Sequence, residues 1–207
     1  MCIRDSCRAH TPIPLLGKMF RHLASQTKTH VCCHIDHGYT IRECVEGIDS
    51  GFTSVMFDGS KLSLKENIKV TSKIVKKAHM AKVSVEGEIG FVGYANSKSS
   101  EGTLTDEAIS FAKNSGVDAM AISVGNTHLQ TSKIAKIDYD KILEIQNISN
   151  LPLVLHGSSG ISNAMRSKIA KFTNVAKFNI GTELRICLLY TSPSPRDRTR
   201  SRMPSSA

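Results

Sequence analysis

Six short apolar runs, each with a polar residue at or within two positions of its end and each followed by a helix-like stretch, constrain this chain more than any other feature. The runs cover 31–36, 54–58, 83–89, 119–124, 153–156 and 176–180. Between them lie amphipathic segments with recognisable starts and stops. Thr40 and Glu43 have the spacing of a capping box, opening a helix that Gly51 ends. Ser63 and Glu66 repeat that spacing for a helix reaching about Met80. Thr105 is the expected N-cap of the next helix, with Asp106 and Glu107 in its first turn and Gly116 past its end. Two more helices are expected over 140–149 and 162–172, and Thr182 reads as a further N-cap. Such alternation implies a parallel sheet covered by helices.

Two architectures share that pattern, the doubly wound sheet and the (β/α)8 barrel. A doubly wound sheet concentrates its ligands at one switch point. Here Asp36, Asp58, Glu88, Asn126, His156 and Asn179 terminate different strands, which favours the barrel. No G-x-G-x-x-G or Walker loop follows the first strand, so a nucleotide fold is disfavoured. The expectation is an α/β (β/α)8 TIM barrel, incomplete, with about six of eight strands present.

The two ends stand apart from this pattern. Residues 1–6 and 187–192 can be encoded by DNA strings whose cores are reverse complements, as in a translated transposon-type adapter. The reading is therefore three segments: 1–6 non-native, 7–186 a partial barrel domain, 187–207 non-native and disordered. A barrel so shortened would expose two sheet edges, and an unstable or aggregating polypeptide is expected. Net charge is +9 over 207 residues, but Arg4, Arg196, Arg198, Arg200 and Arg202 all lie in those ends. With aromatics at 5% and no tryptophan, a nucleic-acid partner is not expected. Neither a membrane-spanning run nor a secretion signal is present, so the expected location is cytoplasmic, without a membrane partner. The adjacent Cys32 and Cys33 lack zinc-finger spacing and read as packing in a reducing compartment.

The polar strand ends carry the chemistry. His37, His128 and His156 follow three different strands, and three imidazoles with an open position describe a catalytic Zn²⁺ site. Asp36 is either a general acid/base beside that metal or a carboxylate that orients His37. In an ideal strand Asp36 and His37 would face opposite ways, so both reach one site only if the strand ends between them, at a turn that Gly38 permits. His34 shares a face with Asp36 and reads as support. Asp58 and Glu88 end neighbouring strands and offer a second cation site. Glu86 lies on the face of Glu88, and one of the two is expected to have a structural partner. Two glycine-containing segments, His156–Gly157–Ser158–Ser159–Gly160 and Asn179–Ile180–Gly181–Thr182, each join a strand to a helix start and suit a phosphate group.

Taken in order, H-I-D-H-G, S-V-M-F-D-G-S, V-E-G-E-I-G, V-G-N-T-H, L-V-L-H-G-S-S-G and K-F-N-I-G-T-E-L resemble the class II, zinc-dependent ketose-bisphosphate aldolases, from about Thr29 to Ile186. The resemblance implies cleavage or formation of a fructose- or tagatose-type 1,6-bisphosphate, with dihydroxyacetone phosphate and an aldehyde as products. It implies Zn²⁺ on His37, His128 and His156, proton exchange by Asp36, and an additional or displaced cation at Asp58 and Glu88. Gly157, Ser158, Ser159, Asn179, Gly181 and Thr182 would bind ketone and phosphate. The complete enzyme would be a homo-oligomer, dimer or tetramer. Two departures touch substrate identity: the loop at Gly93–Tyr94–Ala95–Asn96 lacks the family's acid, with Glu101 further along, and Leu129 stands where glycine is usual. Alternatives are another metal-dependent sugar-phosphate lyase or epimerase, or a catalytically impaired metal- and phosphate-binding relative.

Overall fold

The protein is described by a computed structural model covering residues 11–92, 102–126, 137–184 and 187. Its first element is a helix the sequence did not announce, α1 (Ile13–Ser25). Pro12 precedes it, no side chain caps it and no acid sits in its first turn, so the usual start signals are missing. Ile13, Leu16, Gly17 and Phe20 bury one face, and Phe20 meets Phe52 edge-on at 6.0 Å.

Six strands and five helices then alternate: β1 (His34–Gly38), α2 (Ile41–Asp49), β2 (Ser54–Phe57), α3 (Leu64–Met80), β3 (Ser84–Ile89), α4 (Thr105–Ser115), β4 (Ala119–Ile122), α5 (Tyr139–Ile148), β5 (Leu153–Leu155), α6 (Asn163–Phe172) and β6 (Val175–Phe178). The strands form one parallel sheet in the order β1-β2-β3-β4-β5-β6. Each strand pairs with the next in sequence, as a singly wound barrel requires, and no strand order reverses. The sheet curls until side chains of β6 and of the residue just past it reach those of β1. Lys177 Nζ lies 3.3 Å from His34 Nε2, and Asn179 Nδ2 lies 3.1 Å from Asp36 Oδ1. The barrel architecture expected from the sequence is present.

Helix starts follow the local chemistry. Thr40 and Glu43 make the reciprocal capping box, and Ser63 accepts from Glu66 N–H. Thr105 is the exception: Leu104 occupies the N-cap position and Thr105 is the first helical residue. Asp138 caps α5, so that helix begins one residue before the expected boundary. Gly116 ends α4 in the left-handed conformation, as read from sequence.

The helices cover the outer face of the sheet. Ile35, Val55, Phe57, Val85, Ile89, Met120, Ile122, Leu153, Leu155 and Val175 point outward into one apolar cluster. From the helical side Ile74, Ala78, Phe111, Ile142, Ile145 and Ile169 fill it, all fully buried. The inner face holds only a small apolar group, Met56, Ala121 and Val154 with Ala119 beside them. Among the described residues no helix is long and apolar enough to cross a membrane.

Candidate active site

The site is organised by an irregularity in β1. Its pairing with β2 shifts register between Ile35 and Gly38, and His37 adopts φ +53°. A left-handed histidine is costly enough to be informative. The kink turns Asp36 and His37 to the same interior, and both are about 5–6% exposed. The expected device was a strand ending before a glycine turn. Instead the strand runs through Gly38, and His37 itself carries the unusual backbone. Gly38 is needed for room: a Cβ there would lie 2.7 Å from Cys44 Sγ and 2.8 Å from the Met56 carbonyl oxygen.

Around Asp36 two imidazoles converge. His37 and His156 meet edge-on with ring centroids 4.6 Å apart. His37 Nε2 lies 3.9 Å from Asp36 Oδ1, and His156 Nδ1 lies 3.8 Å from the same oxygen. One ligand atom from each of Asp36, His37 and His156 falls within 4.8 Å of the others, close enough to share one cation. The other nitrogen of each ring meets a carboxylate. His37 Nδ1 lies 2.8 Å from Asp58 Oδ2, and His156 Nε2 lies 2.8 Å from Glu86 Oε1. His37, Asp58 and Glu88 form a second such group, with Glu88 Oε2 3.5 Å from His37 Nδ1. That oxygen is buried and has no hydrogen-bond partner among the described residues. A buried lone carboxylate oxygen beside an imidazole is a donor suited to a cation.

The charges agree with the geometry. Burial pushes the His37 imidazole down, but the bond from Asp58 and the charges of Glu88 and Asp36 outweigh it and raise its pKa to about 9. Burial raises Asp58, yet His37 and two bonds from Ser60 bring it to about 2. Asp36 is likewise raised by burial and then drawn below the usual carboxylate range by His156, His37, His34 and Lys177. Glu88 goes the other way: burial first, then the neighbouring Asp58, hold its carboxyl well above the ordinary value. One interior therefore lowers the pKa of Asp36 and raises that of Glu88.

Beneath this level lies a second polar layer. Glu86 accepts from Lys177 Nζ through Oε2, and His34 Nε2 stands 3.8 Å from that oxygen. His34 Nδ1 meets Ser54 Oγ at 2.9 Å. Asn179 spans the layers, its Nδ2 3.1 Å from Asp36 Oδ1 and 3.0 Å from His156 Nδ1. Asn126, buried at the end of β4, donates to the His156 carbonyl at 2.8 Å and so ties two strand ends together.

The two glycine-containing segments are neighbours, as expected. Ser158 N–H donates to the Asn179 carbonyl, and Glu183 N–H donates to Ser159 Oγ. Gly157 has φ +58°, which sets the turn directly after His156. The hydroxyl of Ser158 donates to the Leu155 carbonyl at 2.7 Å. Both donors of Ser158 thus hold the loop in shape. His128, Glu101, Leu129 and the stretch Gly93–Asn96 lie outside the described residues. Lys177 is an interior residue that sequence reasoning left without a role, and of the pair Glu86 and Glu88 it is Glu86 that has the structural partners, His156 and Lys177. Strand alternation put Glu86 inward, but only the register of β3 with its neighbours separates its partners from those of Glu88.

Comparison with known proteins follows the same lines. Residues 2–200 match the profile of the family described as fructose-bisphosphate aldolase class-II. A 6-phospho-5-dehydro-2-deoxy-D-gluconate aldolase from Shouchella clausii is 39% identical over 162 residues, covering 75% of this chain and 54% of that protein. A fructose-bisphosphate aldolase from Ureaplasma parvum is 41% identical over 165 residues, covering 77% and 55%. The crystal structure of the YdjI aldolase from Escherichia coli K12 superposes with a TM-score of 0.78 at 28% identity, over 90% of this chain and 66% of that one. The chain spans about half the length of the curated relatives it matches.

Proposed function

Because this chain belongs to the class II fructose-bisphosphate aldolase family, we propose that its barrel interior is a zinc-dependent aldolase site acting on a ketose 1,6-bisphosphate. The observation that carries the reading is the convergence of His37 and His156 on Asp36, each ring held from behind by its own carboxylate. That donor set fits zinc: borderline-soft imidazoles inside, hydrogen-bonded carboxylates outside. His37, His156 and, from outside the described residues, His128 would hold the ion. Bound there, zinc supplies Lewis-acid polarisation of the substrate ketone. Asp58, Glu88 and His37 form the second donor group, for an additional or displaced cation.

The chain's own groups account for the remaining work. Asp36, kept ionised by its cationic neighbours, takes the proton from the hydroxyl on the carbon that becomes the aldehyde, and returns it in condensation. Asn179 fixes the Asp36 carboxylate and presents its amide to the oxygens of the three-carbon fragment. Gly157, Ser158, Ser159, Gly181 and Thr182 surround the phosphate, with Ser158 shaping the loop rather than donating to the ligand. The products are dihydroxyacetone phosphate and an aldehyde such as glyceraldehyde 3-phosphate. By their names the relatives act on different phosphorylated substrates at similar identity, one of them a sulfofructosephosphate aldolase from Alkalicoccus urumqiensis. The aldehyde half is therefore where specificity is to be sought. We take the protein to work in the cytoplasm as a dimer or tetramer.

The test is zinc content together with aldol cleavage of fructose and tagatose 1,6-bisphosphates, measured on protein spanning the length of its relatives. Cleavage that disappears on chelation and returns with zinc is the expected result. Bound zinc with no cleavage and no proton exchange of dihydroxyacetone phosphate would favour a binding role instead.

A further inference from the structure

Glu86 takes no direct part in the reaction outlined above, yet it sits where the inner layer is most crowded with charge. It is 4% exposed, and three cationic or imidazole groups from three strand regions face it: His156 after β5, Lys177 on β6 and His34 on β1. A carboxylate at such a point is ionised. Its Oε2 accepts from the Lys177 ammonium, an ion pair within the barrel interior. An ionised carboxylate only accepts, so the proton in the 2.8 Å contact belongs to His156 Nε2. The other side of the ring agrees. Asn179 Nδ2, a donor, lies nearer to His156 Nδ1, at 3.0 Å, than to Nε2, at 3.3 Å, which fits a lone pair on Nδ1 while Nε2 donates to Glu86.

We propose that Glu86, anchored by Lys177, is a positioning residue that sets the tautomer of His156, placing its lone pair on Nδ1 toward Asp36 and the metal. The arrangement parallels His37, whose Nδ1 is taken by Asp58 while Nε2 faces Asp36. The two rings thus present opposite nitrogens to one point, and each carboxylate selects which. Lys177 has a different task. It offsets the buried charge of Glu86 and closes the curled sheet from β6 back toward β1. As far as it concerns zinc, this inference rests on the proposed function; as far as it concerns the tautomer, it does not.

Two measurements on the same variants separate these parts. In metal-free protein, ¹⁵N chemical shifts of His156 report the tautomer. The unmodified protein and Lys177→Met should show the Nε2–H form, whereas Glu86→Gln should show a mixture. Zinc affinity, read by competition with a chromogenic chelator, should fall about 10- to 100-fold in Glu86→Gln. In Lys177→Met it should stay within about threefold, while the cobalt-substituted absorption spectrum changes only in Glu86→Gln. Should Glu86→Gln not fold, the double variant Glu86→Gln/Lys177→Met removes both charges together and should show the same loss of affinity. A merely structural role for Glu86 predicts equal effects of the two single variants, and that result overturns the proposal. So does an Nδ1–H tautomer in the unmodified protein. If the unmodified protein takes up no zinc while the tautomers behave as stated, the proposed function fails and the positioning of His156 stands.

Discussion

The two faces of the sheet are built from alternate residues of the same strands and have opposite characters. Outward, Ile35, Val55, Val85, Ile122 and Leu155 meet helices in an apolar layer. Inward, one residue along, stand His34, Asp36, Ser54, Glu86, Glu88 and His156, all buried, with only a small group of apolar side chains around Met56. Stability and chemistry are therefore divided by strand parity. The outer face gains from removing apolar surface from water. The inner face carries buried charges that stand only because each is matched, and such matching contributes little net stability.

That division can be broken most forcefully at the inner face. His37→Asn keeps a residue tolerant of the left-handed backbone while removing the imidazole. It should weaken zinc binding more than about 100-fold, beyond the loss expected for an orienting partner, with the protein still folded. Asp36→Asn should lower kcat by about 10² to 10⁴ and leave zinc content intact. At the outer face, Phe111→Ala should cost about 3–5 kcal/mol in denaturant unfolding while bound zinc per folded molecule is unchanged. If this variant lost zinc in the folded state, the division would be false.

Two smaller effects sharpen the comparison. The His37 pKa is raised to about 9 in the metal-free site, and zinc needs the neutral ring. Below that pH binding must displace a proton, so apparent zinc affinity should rise about tenfold per unit from pH 6 toward 9 and then flatten. A pH-independent affinity over that range would mean that His37 does not bind the ion. Thr40→Ala removes the capping box of α2, three residues after His37, and should cost about 1 kcal/mol in melting experiments, with a far smaller effect on kcat than Asp36→Asn.

Much of this was legible in the sequence because strand ends and helix caps are local signals. The six strands are present where the sequence places them, and Thr40, Ser63 and Gly116 act as read. Helix α1 was not legible, since it is held by packing of Ile13, Leu16 and Phe20 rather than by a cap. The joint inward placement of Asp36 and His37 was legible as a need but not as a solution. Alternation forbids it, and the register shift with a left-handed His37 arises from the fit between β1 and β2. Glu86 was hidden for a related reason. Two inward glutamates one turn of the pleat apart look alike until neighbouring strands decide that one meets His156 and the other stays without a hydrogen bond.

The contact of Asn179 with Asp36 joins residues 143 apart in sequence, although every strand pairs with its immediate successor. Growth of the sheet during synthesis is thus a series of short-range additions, each strand docking on the one already made. Assembly of the interior follows a different clock. Asp36 and His34 leave the ribosome long before Asn179 and Lys177, and their contacts with them form only once β6 is made. A half-made sheet can hold its shape before the polar contacts of its interior are complete.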